Sequence, residues 1–84
     1  MKKVIIYSTR ICPFCVRAKN FFSKKDIPFE DIMVDQDPDQ LKIMMDRSQR
    51  QSVPQIFIGD YHVGGFDDLI EHDMDGKLDK LLEE

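Results

Sequence analysis

Two cysteines, Cys12 and Cys15, are separated by Pro13 and Phe14, and they are the only two in the chain. In a reducing compartment so close a pair points to redox or metal chemistry rather than to a structural bridge. Redox chemistry needs a thiolate, because the thiolate is the species that attacks disulfides. The local sequence favours one at Cys12. Pro13 suits the first turn of a helix, where a missing N–H costs nothing. Cys12 then falls at the N-cap, where unpaired N–H groups and the helix dipole stabilise an anion. Arg10, Arg17 and Lys19 add positive potential, with no acid near them in sequence. Cys15 shares an apolar stripe with Ala18 and Phe22 and is expected to be the more buried sulfur. Cys12 would attack an external disulfide, and Cys15 would resolve the mixed disulfide from one helical turn away.

Competing chemistries fit less well. Two unrelated thiols would not be expected at a strand-to-helix junction. A tetrahedral zinc site needs four ligands, and the remaining candidates are His62 and His72. They stand far along the chain without knuckle spacing. His62 is expected on a strand surface and His72 on a solvent-facing helix position, so no metal site is expected. Glu71, Asp73, Asp75 and Gly76 imitate the start of a calcium loop, but Leu82 stands where a bidentate glutamate is required. That stretch reads as an acidic, helix-breaking turn. Met44 and Met45 read as core filler.

The elements that position the cysteines follow from hydrophobic period and punctuation. Residues 3–8 are β-branched and aromatic and predict a buried strand. A helix is predicted from Pro13 to about residue 25, carrying Cys15, Ala18, Phe21 and Phe22 on roughly one stripe, and residues 26–28 break it. Residues 29–34 predict a second strand, so the first three elements form a right-handed β-α-β unit with parallel strands. Asp37 and Pro38 are an N-cap and first-turn pair for a second helix with Leu41, Met44, Met45 and Ser48 on one face. Residues 55–58 and 61–63 predict a hairpin around Gly59-Asp60. Gly64-Gly65 ends it, and Asp67 and Asp68 open a short third helix. Leu78, Leu81 and Leu82 mark a fourth helix after Gly76. The order is β-α-β-α-β-β-α-α, an α/β fold with a four-stranded mixed sheet flanked by helices.

Composition sets outer bounds. With 84 residues, 42% apolar and 33% charged, the chain reads as one globular domain over residues 1–84. The run at residues 4–7 is too short for a signal-peptide core, and nothing approaches a transmembrane helix, so a cytoplasmic protein is expected. A net charge of −4 argues against nucleic acid as a partner. The charge is uneven. Residues 1–25 hold seven Lys or Arg and no acid, whereas residues 26–84 hold five basic and sixteen acidic residues. Both cysteines lie in the basic third.

Three segments in register carry a family resemblance. Tyr7-Ser8 with Cys12-Pro13-Phe14-Cys15, then Ser52-Val53-Pro54-Gln55-Ile56-Phe57-Ile58, then Gly64-Gly65-Phe66-Asp67-Asp68-Leu69 together resemble the dithiol glutaredoxins of the thioredoxin superfamily. The chain most resembles the short bacterial type called glutaredoxin 3, over essentially its whole length. The resemblance implies a thioredoxin fold of the glutaredoxin type. It also implies a glutathione-dependent thiol–disulfide oxidoreductase that reduces glutathione-mixed disulfides and protein disulfides. Cys12 and Cys15 would be its catalytic residues.

The resemblance further implies a tripeptide site on Arg10, Phe14, Arg50, Gln51, Ser52, Val53, Pro54, Gly65, Phe66, Asp67 and Asp68. Pro54 would follow a cis bond, and the Val53 backbone would pair with the cysteinyl part of glutathione. Gly64-Gly65 would allow close backbone approach. The N–H groups of Asp67 and Asp68 would receive the γ-glutamyl carboxylate, and the Asp68 side chain the ammonium. Three positions depart from the family pattern. Phe14 replaces the commoner tyrosine. Thr9 stands where many members have a lysine, with Arg10 beside it as substitute. Gln49-Arg50 replaces Gly-Arg, leaving Arg50 or Gln51 to meet the glycyl carboxylate. Glutathione is then a co-substrate, with no tightly bound cofactor. The partners are glutathionylated or disulfide-containing proteins, with neither nucleic acid nor membrane involved and a monomer expected. The alternatives are a thioredoxin-like protein disulfide reductase, or an iron–sulfur carrier bridging two subunits through Cys12 and glutathione, which Pro13 disfavours.

Overall fold

The computed structural model of the protein describes residues 2–83. Its elements are β1 (Val4–Ser8), α1 (Pro13–Lys24), β2 (Phe29–Met33), α2 (Pro38–Ser48), β3 (Gln55–Ile58), β4 (Tyr61–Gly64), α3 (Phe66–Met74) and α4 (Lys77–Glu83). The sheet order is β2-β1-β3-β4. β1 runs parallel to β2 and antiparallel to β3, and β3 runs antiparallel to β4. This is the mixed four-stranded α/β sheet expected from the element order. Among the described residues, no helix is long and apolar enough to cross a membrane.

Alternation along the strands splits the core in two. Val4 and Ile6 of β1, with Ile56 and Ile58 of β3, face Ala18 and Phe22 of α1, Leu69 of α3, and Leu78 and Leu82 of α4. Tyr7 and Phe57 point to the other face, where Met44 of α2 and Val34 cover them. The Tyr7 and Phe57 rings meet edge to face at 5.7 Å. Each face of the sheet is therefore covered by helices, and the central strands β1 and β3 are held rigidly from both sides. Phe22 is fully buried.

The boundaries have local causes. The Asp37 carboxylate accepts the Asp39 and Gln40 N–H groups at 3.1 and 3.3 Å, capping α2 ahead of Pro38. Gly59, with φ +59°, makes the two-residue turn between β3 and β4. Asp26, with φ +57°, stops α1. A few edges differ from the sequence-based expectation. β1 begins at Val4 rather than residue 3, and β2 ends at Met33 rather than residue 34. Val34 still donates to the Ser8 carbonyl at 2.9 Å and is buried. α3 opens at Phe66, one residue before the acidic pair, because Gly65 is its N-cap. Phe21 is only half-buried at the margin of the α1 stripe. The pseudo-calcium segment runs through the end of α3 into the Gly76 turn, where φ is +74°.

Candidate active site

β1 delivers the chain to the top of the sheet, and Cys12 turns it into α1. Cys12 is the N-cap, with extended backbone at φ −154° and ψ 99°, and Pro13 follows in the first turn. No acid lies in that first turn. The Cys12 sulfur receives the Cys15 N–H at 3.1 Å. An anion at this atom therefore gains a direct donor as well as the positive helix end. The two cysteines are joined as a disulfide, with Cα atoms 5.2 Å apart. Cys15 is completely buried, whereas Cys12 is partly exposed. One sulfur is thus presented outward and the other is held behind it by the sheet-facing side of α1.

The surrounding charge is weaker than the sequence implies. The Arg10 guanidinium meets the Asp35 carboxylate at 3.2 Å, and the Arg10 N–H reaches the same oxygen. These contacts, the backbone bond foremost, hold the Asp35 carboxyl below its usual range. Lys19 pairs with Asp31 at 2.7 Å, and Ser8 also donates to Asp31. The cause is the parallel pairing of β1 with β2. It sets Ile6 beside Asp31 and brings acids more than ten positions away in sequence against the basic segment. Arg17 instead lies over the Phe14 ring, 5.3 Å from its centroid. Two of the three cations that the sequence places near Cys12 are therefore paired with acids.

A groove of about 230 Å³ opens beside the disulfide. It is lined by Phe14, Arg50, Ser52, Val53, Pro54, Gly65, Phe66, Asp67 and Asp68. Of the residues assigned to a tripeptide site by resemblance, Arg10 and Gln51 are the two outside this lining. Both are exposed, and Arg10 is turned to Asp35. The Val53 carbonyl oxygen stands 3.8 Å from the Cys12 sulfur, and the Val53–Pro54 bond is cis. The Phe14 and Phe66 rings approach at 6.2 Å.

The far end of the groove is the start of α3. The Asp68 carboxylate accepts the Gly65 N–H at 2.9 Å and lies 3.1 Å from Arg50 Nη1. The Gly65 hydrogen bond, then Arg50, holds the Asp68 carboxyl below its usual range despite some burial. Gly64 has φ +116°, and a Cβ there would collide with the Asp68 carboxylate. Glycine is thus required at this position both by backbone and by space.

The histidines lie on the expected strand and helix, but both are more enclosed than the sequence suggested. His72 is half-buried rather than solvent-facing. Its Nδ1 donates to the Asp68 carbonyl at 2.7 Å, and its Nε2 is 2.9 Å from the Tyr61 hydroxyl. It ties α3 to β4. His62 is also half-buried, stacked on Phe57 at 4.8 Å and bonded to Gln55. Aromatic and amide partners from other elements draw both rings inward. Among the described residues, no three His, Cys, Asp or Glu side chains are grouped to hold a metal ion.

Comparison with known proteins gives a consistent result. The family model for glutaredoxin matches residues 4–63. Glutaredoxin 3 of Escherichia coli K12 is 44% identical over 82 residues, covering 98% of this chain and 99% of its own. The solution structure of a glutaredoxin from Brucella melitensis is 46% identical, with a TM-score of 0.84, over 98% of this chain and 89% of that one. The crystal structure of a buckwheat glutaredoxin–glutathione complex is 29% identical, with a TM-score of 0.87, over 98% of this chain and 77% of that one.

Proposed function

The chain belongs to the glutaredoxin family and is a glutathione-dependent thiol–disulfide oxidoreductase, and from that premise we propose that Cys12 is its nucleophile and the adjoining groove its glutathione site. One observation carries the reading. The groove extends from the Val53 carbonyl, 3.8 Å from the Cys12 sulfur, to the Asp68 carboxylate at the start of α3.

Deglutathionylation proceeds in two half-reactions. The Cys12 thiolate attacks the glutathionyl sulfur of a mixed disulfide. The protein thiolate leaves and takes up a proton, and Cys12 is left bonded to glutathione. A second glutathione, as thiolate, attacks that glutathionyl sulfur. Oxidised glutathione leaves, and the Cys12 thiolate is regenerated. With a protein disulfide, Cys12 forms the mixed disulfide and the Cys15 thiolate attacks the Cys12 sulfur. This releases the reduced protein and leaves the Cys12–Cys15 disulfide. Two glutathiones then return the pair to dithiol and leave as one disulfide.

Within the groove, the Val53 backbone would pair with the cysteinyl part of glutathione in the manner of a short added strand. The first-turn N–H groups of α3 lack carbonyl partners within the helix, so they suit the γ-glutamyl carboxylate. Asp68 suits the γ-glutamyl ammonium and Arg50 the glycyl carboxylate. A ligand bringing both charges exchanges the single Arg50–Asp68 pair for two. Ser52, Pro54, Gly65, Phe66 and Asp67 complete the walls, and Phe14 with Phe66 supplies an apolar side. Arg10 stands outside the groove, with its guanidinium paired to Asp35. Gln51, outside the lining, has no contact there that supports a role.

The same reading makes the partners glutathionylated or disulfide-containing proteins, met by a monomer in the reducing cytoplasm, with no nucleic acid or membrane involved. Buckwheat glutaredoxin, solved with glutathione, supports the choice of electron donor. The test is turnover of a glutathionylated peptide with either glutathione or a flavin-dependent thioredoxin reductase as the donor system. Glutathione is expected to sustain the reaction. Turnover with the reductase alone would favour the thioredoxin-like alternative.

A further inference from the structure

Behind the groove lies a polar pair to which none of these roles is given. Gln55 opens β3 immediately after Pro54 and is 1% exposed. Its Nε2 donates to the Ser52 carbonyl at 2.9 Å and also lies 3.3 Å from the Ser52 hydroxyl. Its Oε1 lies 2.7 Å from His62 Nε2. A carbonyl oxygen only accepts, so the Ser52 carbonyl fixes which way the amide points. Oε1 then faces His62, and His62 must donate to it. The neutral ring therefore carries its proton on Nε2.

His62 is itself held. It stacks on Phe57 with planes 26° apart, and the Arg47 guanidinium lies 4.0 Å from the centroid of the same phenylalanine. Arg47 also donates to the Tyr7 hydroxyl at 3.1 Å. By contrast, residues 51–54 lie outside any strand or helix, so no ladder fixes their backbone. Val53 packs its side chain against the core around Tyr7 and Phe57, and the hydrogen-bonded link from the sheet to the Ser52 backbone is the Gln55 amide.

We propose that Gln55 and His62 are positioning residues that hold the Ser52–Val53 backbone in the pose that receives glutathione. This rests on the reading of the groove as a glutathione site. Burial, with Arg50 and Arg47 acting in the same direction and Asp68 against them, keeps His62 below the usual imidazole range. The ring is thus neutral near pH 7, with one proton to place. Protonation adds a second proton at Nδ1 and leaves the Nε2–H bond to Gln55 in place.

The experiment measures kcat and KM for a glutathione-mixed disulfide, together with the rate of Cys12 alkylation, which does not use the groove. Gln55→Met removes both amide contacts at similar length. His62→Leu removes the donor, and His62→Gln returns an N–H at similar reach. Loss of a buried hydrogen bond predicts a KM raised about fivefold in Gln55→Met and His62→Leu, with kcat and alkylation within about twofold. His62→Gln recovers the original KM. The ¹⁵N spectrum of the unmodified protein places the ring proton on Nε2. The proposal is overturned if His62→Leu leaves KM unchanged, if His62→Gln is as impaired as His62→Leu, or if the proton sits on Nδ1. Asp68→Asn, run in parallel, separates the two levels. If Asp68→Asn alone raises KM, the groove stands and the positioning pair is refuted. If no variant moves KM, the glutathione reading fails and the positioning role fails with it.

Discussion

Two helix starts flank the groove, and they treat negative charge in opposite ways. At α1 the N-cap is a cysteine, the first turn has no acid, and the Cys15 N–H points at the Cys12 sulfur. At α3 the first turn holds Asp67 and Asp68, and the Asp68 carboxylate already occupies the Gly65 N–H. The first start leaves its dipole for a charge that appears on sulfur during the reaction. The second is partly satisfied by its own carboxylate and turns that carboxylate toward the groove as an acceptor for a cation. On the proposed reading, the same helical feature would serve reactivity at one end and recognition at the other. The difference lies in which residue stands at and just after the cap.

The largest expected effect is at the α1 start. Cys12→Ser should lower turnover of a glutathionylated peptide by about a thousandfold or more, as removal of a nucleophile does. Cys15→Ser should keep most of that activity and lose reduction of protein disulfides. Equal loss of deglutathionylation in both variants would break the division between the two sulfurs.

At the α3 start, Gly64→Ala should be the most damaging change. A left-handed φ for alanine costs about 1–2 kcal/mol, and its Cβ also displaces Asp68, so KM for glutathione should rise more than tenfold while Tm falls. A variant with unchanged KM would show that Asp68 does not need its present place. Asp68→Asn keeps the shape and removes the charge. Loss of a charge-assisted contact predicts a KM raised about tenfold. Because the folded-state pKa of Asp68 is depressed, its stabilisation is present above the ordinary carboxyl value of 3.8 and is lost as pH falls through the lower folded value. The difference in stability between Asp68→Asn and the unmodified protein, read by urea titration, should therefore shrink in strong acid.

The smallest effect should come from Arg10→Ala. Asp35 holds the guanidinium, so the pH midpoint of Cys12 alkylation should move by less than about half a unit. A large upward move would restore the cation cluster as the source of reactivity.

What could be read from the sequence follows from how local each cause is. The Asp37-Pro38 cap, the Gly59-Asp60 turn and the Cys12-Pro13 helix start act within three or four residues, so residue type and spacing reveal them. The groove residues were assigned from the family resemblance rather than from residue type and spacing, and apart from Phe14 the lining falls in two short segments, residues 50–54 and 65–68. The charge state around Cys12 was not. Asp31 and Asp35 reach Lys19 and Arg10 only through the β1–β2 pairing, which a reading along the chain does not register. His62 and His72 escaped for the same reason. Their partners, Gln55 and Tyr61, come from strands brought alongside by folding. α2 ends on Gln49 with φ +59°, a left-handed glutamine that no glycine or asparagine announces.

The start of α1, more than the basic residues near it, is expected to make the Cys12 sulfur a thiolate at neutral pH. The direct measurement is the pH dependence of Cys12 alkylation in the reduced protein. The midpoint should fall at least about one pH unit below the ordinary thiol value of about 8.5, and it should stay there in Arg10→Ala. A midpoint at the ordinary value would show that the start of α1 does not stabilise the Cys12 thiolate.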